Sequence, residues 1–273
     1  MKDRQISVII STYNHPQWLQ KVLWSYEQQT FKAFELIIAD DGSGEETKST
    51  IDNFANSVSF PVKHVWHKDD GFQKTKILNK AILACDANYI VFTDGDCIAR
   101  ADFLQTHMQY REQGYFLSGG YFKLPMKISE IISKEDIVTG SCFEIEWLKH
   151  HGLKSSFKNN KISSKGLKEN FLNYFTPTTA TWNGHNASGW KSDILKVNGF
   201  DERMQYGGED RELGERLFNI GLKAKQIRYS AICLHLDHKR GYVKPEMIEK
   251  NQKIRAVTKK EKRKWTDFGI RKN

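Results

Sequence analysis

The residues best suited to chemistry are three short acidic segments, two lysines and two histidines. Asp94-Gly95-Asp96 sets two carboxylates one glycine apart. Carboxylates held that close repel unless a cation or a ligand hydroxyl shares their charge. An oxygen-rich site of this kind suits manganese or magnesium, whose remaining positions diphosphate oxygens can fill. Asp40-Asp41-Gly42-Ser43 has the composition of an ordinary turn and helix cap, so any further meaning must come from its position. Gly207-Gly208-Glu209-Asp210 precedes Arg211 to Ile220, where Leu213, Leu217 and Ile220 share one helical face, so the acidic pair falls at a helix N-terminus. Dipole compensation there is worth about 0.3–1 kcal/mol with no active site at all. A carboxylate in that place is equally a general base for an attacking hydroxyl. Lys74 and Lys76 stand near another helix start, where positive charge is unfavourable and an anionic ligand would offset the cost. His235 and His238 follow the strand-like Ala231 to Leu234, and neutral imidazole binds manganese.

The elements that must position these residues read as alternating strand and helix. Ile6 to Ile10 is an apolar β-branched run, followed by Ser11-Thr12-Tyr13-Asn14-His15 and then Pro16, which opens a helix to about Gln29. Phe34 to Ala39 predicts a strand before the Asp40-Asp41 turn, and Glu45 to Asn56 a helix. Val62 to Trp66 is a third strand, Gln73 to Cys85 a helix, and Tyr89 to Thr93 a fourth strand ending in Asp94. Such alternation predicts a mainly parallel sheet with helices on both faces. Strands apolar throughout agree with burial on both sides. In these sheets ligands bind beyond the carboxyl ends of the strands, which is where Tyr13-Asn14, Asp40-Asp41 and Asp94-Gly95-Asp96 fall. There is no Gly-x-Gly-x-x-Gly after the first strand and no Gly-x-x-x-x-Gly-Lys-Ser/Thr, so a phosphate here needs a metal or lysine side chains.

Composition narrows the class. The 273 residues suit one large α/β domain or two small ones. A net charge of +9 invites a nucleic-acid reading, but the charge is local. Residues 239–273 hold 13 basic and 4 acidic residues, which accounts for all of it, and residues 1–238 carry 29 of each sign. With a neutral body, no nucleic-acid partner is expected. Apolar runs are far shorter than the roughly 20 residues that span a bilayer, and the chain enters its first strand without an apolar leader. Four scattered cysteines predict reduced thiols and a cytoplasmic setting. Residues 123–181 show no clear period, and Lys154 to Lys168 predicts a mobile loop.

The order of motifs resembles the nucleotide-binding half of family 2 glycosyltransferases of the GT-A fold: Ile6 to Asn14, then Asp40-Asp41-Gly42-Ser43, then the Lys/Asn helix, then Asp94-Gly95-Asp96. Gly207-Gly208-Glu209-Asp210 after Gly199-Phe200-Asp201-Glu202 is similar to the acceptor side of the β-1,4-galactosyltransferase and chondroitin-polymerase-like group. The resemblance implies a GT-A Rossmann-like sheet. It divides the chain into a nucleotide-sugar half (1–122), an acceptor and catalytic half (123–238) and a basic helical tail (239–273). It implies that Thr12 and Tyr13 flank uracil, with Asn14 beside them, and that Asp41 bonds the edge of the base. Asp94 and Gly95 then lie near the ribose, and Lys76 near the nucleotide. Gly184 and Asn186 would line the donor-sugar pocket. By the same resemblance Asp96 holds the metal with His235, or else His238, while Asp210 is the base and Glu209 lies beside the sugar.

The expected activity is metal-dependent, inverting transfer of one sugar from a UDP-sugar to a saccharide or lipid-linked saccharide acceptor in lipopolysaccharide or other surface-polysaccharide synthesis. A sugar-nucleotide pyrophosphorylase, or a nucleotide-binding protein without catalysis, is the alternative. The tail, with Met247, Ile248, Ile254, Val257 and Trp265 on a basic helix from Pro245 to Trp265, is expected to touch anionic membrane.

Overall fold

The computed structural model describes residues 4–164, 166–239, 241 and 243–272. The first half follows the predicted alternation: β1 (Ile6–Thr12), α1 (Pro16–Glu27), β2 (Phe34–Asp40), α2 (Glu45–Ser57), β3 (Val62–Trp66), α3 (Lys74–Ala84) and β4 (Tyr89–Asp94). β1 pairs in parallel with β2 and β4, and β2 in parallel with β3. Successive residues of each strand face opposite sides of the sheet, and both sides are covered. Ile6, Val8 and Ile10 of β1 pack with Leu19, Val22 and Leu23 of α1, whereas Ile9 packs with Ile77, Leu78 and Ile82 of α3. This two-sided burial is why the strands show no polar alternation.

The chain continues with β5 (Cys97–Ala99), α4 (Phe103–Tyr110), β6 (Tyr115–Ser118) and β7 (Phe122–Lys123). Short helices follow: α5 (Met126–Ile131), α6 (Lys134–Thr139), α7 (Ile145–His150), α8 (Asn160–Ser163) and α9 (Leu167–Phe175). The stretch 154–168, expected to be a loop, is therefore largely helical. Its polar residues cap and connect short turns too brief to show a helical period. The last elements are β8 (Ala187–Trp190), α10 (Lys191–Lys196), α11 (Glu209–Asn219), β9 (Lys223–Gln226), β10 (Cys233–His235) and α12 (Pro245–Lys260).

The main sheet runs β3-β2-β1-β4-β8-β6-β9 and a small second sheet β5-β10-β7. β8 lies antiparallel between β4 and β6, so the two expected halves share one sheet.

The basic C-terminal segment differs from a detached tail. α12 lies against α11, and the buried Asn251 donates to the backbone carbonyls of Gln205, Tyr206 and Gly207 at 3.0–3.2 Å. Arg255 pairs with Glu215 at 2.6 Å. The Thr258 hydroxyl donates to Glu212, whose carboxylate also holds the buried Arg216 at 2.7 Å. Farther on, Thr266 donates to Asp201 and the Ile270 amide to the Asn198 carbonyl. Ile248 lies against Gly207 and Arg255 against Gly208, so the helix is a buttress for the Gly207 to Asp210 turn. Removing Asn251 leaves three carbonyls without their donors. Asn251→Ala should lower unfolding stability in urea by about 1–3 kcal/mol, while the exposed Lys250→Ala should change it by less than about 0.5 kcal/mol.

Candidate active site

The carboxyl ends of β1, β2 and β4 bring the acidic rim together. Asn14 adopts a left-handed backbone (φ 45°), which Asn tolerates better than most residues. Its amide donates to Ser43 Oγ at 2.8 Å, and its side-chain oxygen accepts from Gly44 N at 3.0 Å, tying the first loop to the second. Thr12 is buried, and its carbonyl accepts from the Asp41 amide at 3.0 Å. Tyr13 is half exposed and donates to Asp69 at 2.9 Å. Gly42 has φ 97°, and a Cβ there would come within 2.6 Å of the Asp69 backbone. Glycine thus lets the Asp41 turn and the Asp69 loop close on each other. At the end of β4 the Gly95 amide donates to Ser11 O at 2.7 Å, and a Cβ would lie 3.2 Å from Thr12.

Asp41 is buried between His67 Nε2 at 2.7 Å and the Gln73 amide at 2.9 Å. Burial raises its pKa, against the pull of those two donors. Asp94 accepts from Ser11 Oγ at 2.6 Å and pairs with Lys74 Nζ at 2.7 Å. Burial alone would raise the Asp94 pKa, but the ammonium more than reverses this and holds it well below the usual carboxylate range. Burial likewise disfavours the charge on Lys74, and Asp94, Glu209 and Asp210 together hold its pKa well above the usual lysine value. The expected basic residue was Lys76, yet it is Lys74 that reaches the rim. Among the described residues the half-buried Lys76 forms no ion pair.

A second acidic group is built on the first turn of α11. The Gly207 amide donates to Glu209 Oε2 at 2.9 Å, and Glu209 is buried. Burial, followed by the neighbouring charge of Asp210, pushes its pKa up to about 7. Asp210 is partly exposed and accepts from the amides of Arg211 at 2.7 Å and Gly184 at 3.1 Å. Burial raises its pKa too. Each Asp210 oxygen keeps a free lone pair direction, so the carboxylate can both orient and accept a proton. A Cβ on Gly184 would lie 3.5 Å from Lys74 Nζ. One cation therefore stands between the donor-side Asp94 and the Glu209-Asp210 pair.

Asp96 faces a histidine corner. The antiparallel register of β10 with β5 sets His235 opposite Cys97. His235 Nε2 lies 3.5 Å and His238 Nε2 3.0 Å from Asp96 Oδ2, with the two rings stacked at 5.7 Å. Asp96, Cys97 and His235 each offer a donor atom within 4.8 Å of the others. His235 turns Nε2 to Asp96, while its Nδ1 is buried without a hydrogen-bond partner. Burial holds the Cys97 thiol protonated, so the carboxylate and the imidazoles form the fitting donor set for a divalent cation. The choice between His235 and His238 thus resolves into both rings facing one carboxylate.

Asn186 corrects an expectation. Its side chain is fully buried behind the site, donating to the Gly120 and Ala231 carbonyls at 2.8 and 3.0 Å and meeting His107 Nε2 at 3.1 Å. An amide satisfied on all sides has none left for a sugar. Sequence reasoning missed His67, His185 and Tyr121. Tyr121 sits edge-on to His185 at 4.6 Å and 4.9 Å from the His235 ring, and burial pushes the His185 pKa down to about 4. Lone rings outside a motif gave no signal.

The family model of glycosyl transferase family 2 matches residues 7–174. The chain belongs to this family. A second model, described as the N-terminal domain of galactosyltransferase, matches residues 170–239, the part that carries Glu209, Asp210 and His235. Chondroitin synthase of Escherichia coli is 25% identical over 250 residues, covering 84% of this chain and 34% of that protein. Validoxylamine A glucosyltransferase of Streptomyces hygroscopicus subsp. jinggangensis is 25% identical over 240 residues, covering 82% of this chain and 54% of that protein. The chain thus spans about a third of the chondroitin synthase it matches. Among solved structures, S. aureus TarS 1-349 in complex with UDP-GlcNAc has a TM-score of 0.62 at 15% identity, covering 93% of this chain and 66% of that one. A mannosyltransferase from Pyrobaculum calidifontis in complex with GDP-Man and Mn2+ has a TM-score of 0.58 at 16% identity, covering 88% and 59%. These likenesses establish the GT-A fold of this family 2 chain.

Glu209 supplies a stability test. Its pKa in the folded protein lies above its ordinary 4.5. Between that value and about 7 the folded state binds the extra proton, so stability falls as pH rises through this window. Glu209→Gln keeps an acceptor for the Gly207 amide and removes the buried charge. It should raise stability by about 1–3 kcal/mol above pH ~8 and change it little near pH 4.5, read as urea midpoints at the two pH values.

Proposed function

We propose that this family 2 chain transfers a single sugar, with inversion, from a UDP-sugar to a saccharide acceptor, with Asp210 as the general base. The observation that carries the reading is Lys74. It touches Asp94 at the strand end and stands beside Glu209 and Asp210, so nucleotide side and hydroxyl side meet at one cation. In this reading Asp41 and Tyr13 take the base, Thr12, Asn14 and Gly95 shape the loop under it, and Asp94 takes the ribose. Lys76 lies farther along the same helix, within reach of the nucleotide's surroundings, while Gly184 leaves room for the donor sugar. Asp96 with His235 and His238 would hold manganese or magnesium, which when bound neutralises charge on the departing nucleoside diphosphate.

Asp210 orients the acceptor hydroxyl and takes its proton as the oxygen attacks the anomeric carbon from the face opposite the leaving group. Glu209, buried and accepting from the Gly207 amide, positions this turn beside the sugar. Simple helix capping would not require a carboxylate pushed into the interior against its neighbour, which disfavours a binder without catalysis. The UDP-sugar donor is supported by the UDP-GlcNAc complex of TarS and the saccharide acceptor by the likeness to chondroitin synthase. A lipid-linked acceptor in surface-glycan synthesis is the acceptor class we favour.

Three measurements check this. A panel of UDP-sugars with manganese should raise the thermal midpoint and yield UDP slowly, whereas no response to any UDP compound would defeat the proposal. Asp210→Asn should lower turnover by about 10²–10⁴-fold with UDP stabilisation retained; unchanged turnover would remove Asp210 from its role. His235→Ala combined with His238→Ala should abolish the extra stabilisation that manganese adds to UDP.

A further inference from the structure

We infer that α9 is a membrane-docking element that lays its apolar face on an anionic lipid surface. α9 has no buried residue. Leu167, Phe171, Tyr174 and Phe175 recur at the spacing of one helical stripe, and they are 90%, 58%, 82% and 62% exposed. Phe171 and Phe175 lie tilted at 4.4 Å and Tyr174 meets Phe175 edge-on at 4.9 Å, so the three rings form one continuous patch. Phe157, just upstream, is 72% exposed.

The other side of α9 holds it to the protein through the hydrogen bonds of two asparagines, with Leu172 half-buried between them. Asn170 accepts from the Tyr110 hydroxyl at 3.2 Å, and Asn173 donates to Ser230 Oγ at 2.7 Å while accepting the Tyr229 amide at 2.9 Å. The helix is thus docked inside out, polar side to the body and apolar side to the surroundings. A contiguous apolar face left in water is unfavourable, and such faces mark surfaces that something apolar covers.

Charge selects the occupant. Lys154, Lys158 and Lys168 are exposed around the stripe, and among the described residues none of them pairs with a carboxylate. Lys168 reaches back to Asn160 at 2.9 Å. Residues 154–175 hold five lysines against the single acid Glu169. A lysine-fringed stripe of Leu, Phe and Tyr matches the boundary between acyl chains and anionic headgroups. Saccharide stacking would use the rings but would leave Leu167 without a partner. The basic C-terminal helix expected to fill this role spends Asn251, Arg255 and Thr258 on the body. Docking by α9 is independent of catalysis; only its purpose, bringing the site to lipid-linked acceptors, rests on the proposed transfer.

The test uses the full chain with vesicles of phosphatidylcholine alone or mixed with phosphatidylglycerol, read by co-sedimentation. The protein should bind the mixed vesicles and bind the neutral ones far less. Leu167→Ser, Phe171→Ser and Tyr174→Ser together should weaken binding at least about tenfold. Lys158→Gln with Lys168→Gln should weaken it on mixed vesicles alone. Leu167→Ser by itself alters a side chain with almost no contacts, so its loss of binding cannot come from unfolding. Stabilisation by UDP, measured on the same variants, reports separately on the nucleotide site. Failure of the wild-type chain to bind mixed vesicles, equal binding by the triple variant, or a solution dimer that the triple variant dissociates would overturn the proposal.

Discussion

The site depends on one half-buried cation. Lys74 starts α3 at the position where a helix dipole least favours positive charge, and three carboxylates compensate for it. Asp94 comes from the end of β4, Glu209 and Asp210 from the start of α11, and these elements are far apart in sequence. Without the ammonium, the three carboxylates would keep only neutral donors, the Ser11 hydroxyl and the amides of Gly207, Gly184 and Arg211, and the first to change would be their protonation. The raised pKa of Glu209 shows that compensation is incomplete: desolvation and the neighbouring Asp210 outweigh the pull of Lys74. Glu209 is thereby held close to proton exchange at neutral pH.

The metal corner has a different origin. Asp96 leaves the main sheet at the end of β4 and begins the small sheet, whose antiparallel pairing sets His235 across from Cys97. The Leu236 amide then donates to the Asp96 carbonyl at 2.8 Å, which extends the pairing and brings the His238 ring to the same carboxylate. His238 is three residues beyond His235 and past the end of β10, so strand alternation alone would separate the rings; it is the chain's departure from the strand that lets them stack. Backbone pairing, rather than packing of the side chains themselves, is what assembles the donor set.

Apolar surface is used in two opposed ways in the second half. α12 carries much of the basic charge but turns Asn251 and Thr258 inward, so its role is to brace the turn that presents Glu209 and Asp210. α9 does the reverse, holding on through two asparagines and leaving Leu167 and its aromatic neighbours outward. Composition alone cannot distinguish these two uses, because it counts charge and hydrophobicity without knowing which face is spent on the body.

The sequence by itself determined the alternating half of the fold, since strands buried on both faces and helices with period-3.6 stripes leave their marks in local order. It also determined the acidic rim, because Asp41, Asp94 and Asp96 each follow a strand and parallel strands end on one side of the sheet. Glu209 and Asp210 were legible from the glycine pair and the helix behind them. Tertiary structure decided the rest. Lys74 rather than Lys76 reaches Asp94 because helix rotation against the sheet sets which side chain points inward, and two lysines two residues apart look alike in sequence. Asn186 turned away from the cleft because unpaired carbonyls at Gly120 and Ala231 lay behind it. The pairing of β8 between β4 and β6, the histidine corner and the buttress of α12 all join residues distant in the chain. Such contacts depend on register and on burial, neither of which a local pattern of residues contains.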